Sequence, residues 1–392
     1  MNKAYDVIVV GAGPAGSLAA KHAALGGVST LLIEKHPVIG CPVCCAEAIS
    51  TTGLTNIVEP DPRWICSEIE RVRLHGPGNS KAGIYHPKAG FVLERKIFDR
   101  AMAEQAAIAG ADVKVGVDAL DIIRGNNGDI SGVVADDNGR SVEIGARVVI
   151  AADGVESQIA CRAGLNPVLK PKDIHSSYQY LIGGIELEPR TLEFYFGNET
   201  APGGYIWVFG KGGGLANVGL AIMPTKSPHK KAVEYLDEFI ARRFSRYKII
   251  ERMTGGVPTY MEALPLYKDN LLLCGDAARV IDSLTGAGIA NALLSGKLAG
   301  QTAARMVREG ISGEFYRKEF LKIKGRELKF YYLCRQIYLK LSDDDVVNIL
   351  RFVDDIFGEK EITGINPFEV ITKIIMSHPK LLTLGRHLLT MN

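Results

Sequence analysis

The sequence predicts an α/β chain (α+β overall): a Rossmann-like parallel sheet, an inserted antiparallel-sheet domain and a helical C-terminal region. Three observations predict it. Short apolar runs at residues 5–10 (YDVIVV), 147–152 (RVVIAA) and 271–275 (LLLCG) read as strands buried on both faces. Between about 174 and 265 the chain changes character: segments such as TLEFYF and GYIWVF, set off by Gly and Pro, read as antiparallel strands. From about residue 312 the chain is mostly of helical pattern.

Taken in order, residues 5–10 form the first strand, stopped by glycine. Residues 14–26 form a helix, with Pro14 in its first turn and Gly26-Gly27 at its end. Residues 29–33 (STLLI) are the second strand, so a βαβ unit opens a parallel sheet. A helix follows from Phe98 and a strand from Asp112. Strands near 130–136 and 140–144 make a hairpin around Asn138-Gly139. A helix near 229–244 covers part of the antiparallel region, and a long helix starts at about Ile289. The expected division is a discontinuous dinucleotide-binding domain (1–173 and 266–310), an antiparallel-sheet substrate domain (174–265) and the helical region (311–392).

A chain of 392 residues, 47% of them hydrophobic, suits two or three domains. A formal net charge of +2 gives no reason to expect a nucleic-acid partner. The N-terminus lacks a signal-peptide layout, and no run of about 18 apolar residues suggests a membrane span. Seven cysteines, an odd number, fit a reducing compartment, so a cytoplasmic location is expected.

The motif carrying most chemistry is Gly11-Ala-Gly13-Pro-Ala15-Gly16, followed by Glu34. Gly11 allows a tight turn, Gly13 lets backbone approach a pyrophosphate, and Gly16 lets helix and strand pack closely. The helix N-terminus offers N–H donors, and Glu34 stands where a carboxylate binds ribose hydroxyls. The motif alone does not separate FAD from NAD. Asn270-LLLCG-Asp276-Ala-Ala, with Gly286-Ala-Gly288-Ile289 before a helix, resembles the ribityl-binding motif of FAD enzymes of the p-hydroxybenzoate hydroxylase type. Asp276 can accept hydrogen bonds from flavin-chain hydroxyls, and the helix end can favour the reduced flavin. Ala151-Ala152-Asp153-Gly154 resembles the middle motif of that superfamily, and Arg95 stands where the superfamily places an arginine near the cofactor. A capping Asp, a common Asp-Gly turn and a surface Arg are the plainer readings of these three features.

Nearly the whole chain resembles the geranylgeranyl reductase family, in its archaeal lipid branch. The resemblance is carried by Pro42-Val-Cys44-Cys45-Ala46-Glu47-Ala48, by Phe91-Val-Leu-Glu-Arg95, by Gly204-Tyr205-Ile-Trp207-Val-Phe209, and by Thr285-Gly286-Ala-Gly288-Ile289. Cys44 stands where the family usually has Arg, Ala46 and Ala48 stand for Gly, and Gly210 stands for Pro. The resemblance implies an FAD-dependent reductase that saturates C=C bonds of geranylgeranyl chains in membrane lipid precursors. It implies cofactor contacts from Cys45, Ala46, Ala48 and Ala119, besides Gly286, Gly288 and Ile289. An isolated alkene has no carbonyl to polarise it, so a proton delivered to one carbon with hydride from the flavin to the other is the plausible course. Cys45, placed by the family near the flavin ring, is the candidate acid; a small packing residue is the alternative. Tyr205, Trp207 and Phe209 alternate, share one strand face, and line a prenyl channel or a plain sheet core.

Cys41-x-x-Cys44 also fits a redox dithiol, or half of a metal site that lacks a second C-x-x-C, so no metal is expected. The apolar-faced basic segments near 328–335 and 370–376 suit either peripheral membrane contact or ordinary packing. No second nicotinamide fingerprint appears, which leaves a ferredoxin, a deazaflavin or NAD(P)H as external electron donor. An FAD monooxygenase of the same fold and an electron-transfer flavoprotein are the alternative functions.

Overall fold

The structure, a computed structural model, describes residues 4–126, 128–165, 169–260, 265–358, 360–361 and 367–377. The end of the expected helical region, 378–392, lies outside the described residues. The chain divides into two units: 1–43, 95–169 and 258–329 form the first, and 44–94, 170–257 and 330–392 the second.

In the first unit, strand Ala4–Val10 lies between Thr30–Glu34 and Arg140–Ala151, parallel to both, in the registers Ile8↔Leu31 and Ile8↔Val149. Asp112–Val115 and Leu271–Leu273 extend the parallel sheet on either side. Val7, Ile8, Val9, Leu32, Ile33, Val149 and Ile150 are all fully buried, which is why these strands read as unbroken apolar runs. The strands expected at 140–144 and 147–152 are one strand, Arg140–Ala151. Its first half pairs antiparallel with Ile130–Asp137 through a turn at Asn138-Gly139, both at positive φ as a tight hairpin requires. Helices Pro14–Leu25 and Ile289–Glu309 pack through glycines. A Cβ on Gly296 or Gly300 would lie 2.1 or 2.2 Å from the carbonyl oxygens of Ala15 and Ala19, so only hydrogen fits there.

In the second unit an eight-stranded sheet runs in the order Lys248–Pro258, Ile174–Gly183, Leu215–Ile222, Tyr205–Gly212, Thr191–Tyr195, Ile65–His75, Lys81–Leu93, Ala48–Ser50. The sheet therefore recruits residues 48–93, which the sequence reading gave to the first domain. Two features hide these strands. Register shifts at Ile65/Ser67 and Ile69/Arg71 break the alternation of the 65–75 strand. The link to Thr191–Tyr195 is a parallel pairing more than 100 residues away in sequence.

Each face of this sheet has its own cover. Ile206, Val208, Val218 and Leu220 pack with Leu236, Phe239 and Ile240 of helix Ala232–Arg243. The opposite phase of strand Tyr205–Gly212 carries Tyr205, Trp207 and Phe209. Helix Asp343–Phe357 starts with a capping box between Ser342 and Asp345. Its stripe of Val346, Leu350, Val353 and Phe357 packs with Ile371, Ile374 and Ile375 of helix Pro367–Ser377. Among the described residues no helix is long and apolar enough to cross a membrane.

Candidate functional site: a nucleotide cradle and a pinned cysteine loop

In the first unit, the three motif glycines answer different demands. Gly11 has φ +96°, and a Cβ there would lie 2.5 Å from the Ala152 carbonyl oxygen. A Cβ on Gly16 would lie 1.8 Å from the Gly11 carbonyl oxygen. Packing alone therefore requires glycine at both. Gly13 differs: among the described residues a Cβ would meet nothing within 4 Å, and the residue is the N-cap of helix Pro14–Leu25 with no side-chain cap. Its open surroundings and uncapped helix end form a cradle for an anionic group. Glu34 is held beside it, since Oε2 accepts the Ala12 N–H at 2.9 Å and Oε1 accepts the His36 N–H at 3.0 Å. Ala15 is buried, and a Cβ on Gly275 would come within 2.9 Å of its Cβ.

The later motif closes on the same unit. Gly275, at φ +63°, donates its N–H to Ser295 Oγ at 3.0 Å. Burial pushes the Asp276 carboxyl up, and Arg95 and Arg279 oppose the shift. The position of a Cβ on Gly288 lies 3.4 Å from Asp276 Oδ1, so this carboxylate sits at the start of helix Ile289–Glu309, whose first turn has no side-chain cap. Gly286, at φ +73°, donates to the Asp282 carbonyl at 2.9 Å and shapes the approach to that helix. Arg95 makes a two-bond contact with Asp99, at 2.7 and 2.8 Å. Asp153 Oδ2 accepts the Ile159 N–H at 2.8 Å, while its Oδ1 is buried with no partner among the described residues. Burial pushes this carboxyl up as well.

Sequence reasoning missed Arg279. It is 1% exposed and has φ +54°, and Nη1 donates to the carbonyls of Val155 at 2.7 Å and Asp276 at 3.0 Å. It thus ties the segment after Asp153 to the segment holding Asp276. An arginine one residue past Gly-Asp-Ala-Ala was the available signal. Uncapped helix ends, the open space at Gly13 and the acceptors Glu34 and Asp276 together fit a pyrophosphate, a ribose diol and a polyol chain, the donor and acceptor set of FAD. Ala119 lies apart from these groups in kind: it is a buried core residue of strand Val117–Arg124.

In the second unit, the loop carrying Cys45 is pinned from three strands. The Gln179 amide donates to the Cys45 carbonyl at 3.0 Å, and its oxygen accepts the Trp207 indole N–H at 2.6 Å. Asn217 Nδ2 donates to the Ala46 carbonyl at 3.4 Å and to Glu47 Oε2 at 2.5 Å. Lys211 pairs with Glu47 and, at 3.0 Å, with Glu94. Burial pulls the Lys211 ammonium down, but the two carboxylates more than offset it and hold it above its ordinary value. The Glu47 N–H reaches Cys45 Sγ at 3.2 Å. Ala46 and Ala48 pack on the face of Tyr205, Trp207 and Phe209. Trp207 and Phe209 are 6% and 4% exposed, whereas Tyr205 is half-buried. A Cβ on Gly219 would lie 2.5 Å from the Trp207 ring, so glycine there makes room for the indole. Cys44 Sγ lies on the Thr254 carbonyl, at 3.4 Å.

Comparison with known proteins agrees with both halves. A family described as "FAD dependent oxidoreductase" matches residues 6–176, and one described as "Geranylgeranyl reductase catalytic domain" matches 173–257. The digeranylgeranylglycerophospholipid reductase of Methanothrix thermoacetophila is 40% identical over 391 residues, 98% of this chain and 99% of the relative. The protein of the same name from Methanocella arvoryzae is 41% identical, covering 97% of this chain and 98% of its own. The crystal structure of a geranylgeranyl bacteriochlorophyll reductase-like protein from Thermoplasma acidophilum superposes with a TM-score of 0.92 at 36% identity, covering 98% of this chain and 99% of that one. A flavin-dependent brominase, at 16% identity and TM-score 0.68, shares the fold alone. The cradle of the first unit, the matched families and these full-length relatives identify the chain as a member of the geranylgeranyl reductase family, an FAD-dependent oxidoreductase.

Proposed function

We propose that this protein reduces the isolated double bonds of geranylgeranyl chains in a membrane lipid precursor, with Cys45 as the proton donor. The observation that carries the reading is the pinning of Cys45 by Gln179, whose side-chain oxygen in turn accepts from Trp207, one of the ring residues of an aromatic strand face. FAD, when bound, supplies the hydride equivalent. Gly13 would leave backbone room for its pyrophosphate, with Gly11 and Gly16 setting the turn and the helix packing around it; Glu34 would accept from its ribose and Asp276 from its polyol chain. The uncapped start of helix Ile289–Glu309 stabilises negative charge.

The chain's own chemistry is proton delivery. The Cys45 S–H bond breaks as a C–H bond forms at one alkene carbon, and hydride completes the other. The sulfur is left as thiolate, a charge that the Glu47 N–H is oriented to bind. The protonated alkene develops positive character, and Tyr205, the half-buried member of the aromatic face it shares with Trp207 and Phe209, is the ring assigned to meet it. Peripheral contact with a membrane follows from such a substrate, and the reducing equivalents come from an external ferredoxin, deazaflavin or NAD(P)H.

The test is anaerobic. Reduced holoenzyme mixed with a geranylgeranyl diether phospholipid should return to the oxidised-flavin spectrum, and Cys45→Ala should keep the flavin but lose most of that rate. Reoxidation by oxygen alone, coupled to hydroxylation of an aromatic acceptor, would support the monooxygenase alternative instead.

A further inference from the structure

We propose that Glu47 is a positioning residue for Cys45: its buried carboxylate, clamped by Lys211 and Asn217, holds the left-handed turn whose N–H points at the cysteine sulfur. Glu47 has φ +73° and is 2% exposed. A side-chain-bearing residue keeps such a conformation only where its surroundings over-determine it. Here they do. The carboxylate meets Lys211 and Asn217, the Glu47 carbonyl accepts the Leu93 N–H at 2.9 Å, and the amide is left to face Cys45 Sγ at 3.2 Å. The stretch Ala46–Glu47–Ala48 contains no glycine, so the turn depends on these anchors rather than on backbone freedom.

Charge is not balanced locally, because two carboxylates meet one ammonium. Glu47 and Glu94 face one ammonium, Lys211, with the Cys66 thiol beside it, pushed up to about 11 chiefly by burial. Gln179 and Asn217, which also hold the loop, are neutral amides. An N–H aimed at sulfur favours thiolate over thiol, so removing the clamp should make Cys45 harder to ionise.

The inference rests on Cys45 being the acid only for its catalytic meaning, and the experiment keeps the two apart. Alkylation of Cys45 by iodoacetamide in the FAD-loaded protein is followed against pH, resolved from the other six cysteines by peptide mass spectrometry. Glu47→Ala should raise the midpoint by roughly one pH unit, about tenfold slower alkylation at neutral pH, and Glu47→Gln should restore most of it, since its amide oxygen still accepts from Asn217 and Lys211. Turnover should fall in kcat with KM for the lipid unchanged. If Glu47→Ala does not fold with FAD, Asn217→Ala is read in the same way, with a smaller upward shift expected. An alkylation profile identical to that of the unsubstituted protein, or shifted below it, in whichever of these variants folds, overturns the inference. A profile shifted upward with undiminished turnover upholds it and removes Cys45 from the chemistry.

Discussion

The Trp207 indole N–H donates to Gln179 Oε1 at 2.6 Å, and the same amide donates through its nitrogen to the Cys45 carbonyl at 3.0 Å. The aromatic face and the cysteine loop are therefore one hydrogen-bonded assembly. Trp207→Phe keeps an aromatic side chain, though a smaller one, and removes the donor, leaving a buried Gln179 oxygen without it. A loss of about 1–3 kcal/mol in unfolding free energy is expected. Urea unfolding of the FAD-loaded protein measures it, and an unchanged midpoint would show that the bond contributes nothing.

The two kinds of motif glycine predict opposite phenotypes. Gly16→Ala places a methyl 1.8 Å from the Gly11 carbonyl oxygen, so the variant should be unstable with or without FAD. Gly13→Ala enters open space and should fold normally yet bind FAD more weakly, because the methyl occupies the path of the pyrophosphate. Thermal unfolding and flavin stoichiometry, measured together, separate the two.

Asp276 sits buried at a helix start with its carboxyl pushed up, which disfavours the charged form in the absence of a hydrogen-bonding partner. Asp276→Asn should weaken FAD binding by about 10- to 150-fold, the size of a hydrogen bond to a charged group. The FAD-free protein should move the other way and gain stability at neutral pH. Equilibrium dialysis and unfolding of both forms test the pair of signs.

His175 predicts an acid limb. Burial, helped by Arg335, pushes its imidazole down to about 4, against an ordinary value of 6.5, while its Nε2 lies 3.2 Å from the Gly203 carbonyl. The unfolded chain binds this proton below pH 6.5 and the folded chain only near 4, so stability falls as pH drops between those values. His175→Gln should reduce the stability lost between pH 7 and pH 4.5 by at most about 3 kcal/mol. Asp153, Asp276 and Asp282 are pushed up by burial and act with the opposite sign, but they are common to both proteins and cancel in the comparison.

How far the sequence could be read depended on whether the determinants were local. The βαβ start was legible because Val7 to Val9 and Leu31 to Ile33 are buried on both faces and Gly11 closes the first strand. The turn at Gly11, the close packing at Gly16 and the place of Asp276 were legible because each is set within a few residues of a strand end. The Glu47–Lys211 pair was not, since its partners are 164 residues apart and meet only through strand order. Gln179 and Asn217 did leave a trace: each is a polar residue in the buried phase of a strand, the pattern of an internal hydrogen bond. The apolar side of 370–376 read equally well as a membrane face or a core face, and packing against Leu350 and Val353 explains it without lipid.

Reduction of a prenyl double bond is tested most directly by the mass of the lipid itself. Chemically reduced holoenzyme, free of oxygen, is given a digeranylgeranyl diether phospholipid, and the extracted lipid is weighed by mass spectrometry as the flavin reoxidises. Increments of two mass units, in step with the returning flavin absorbance, are predicted. A lipid of unchanged mass, with FAD still bound and reduced, would contradict the assignment.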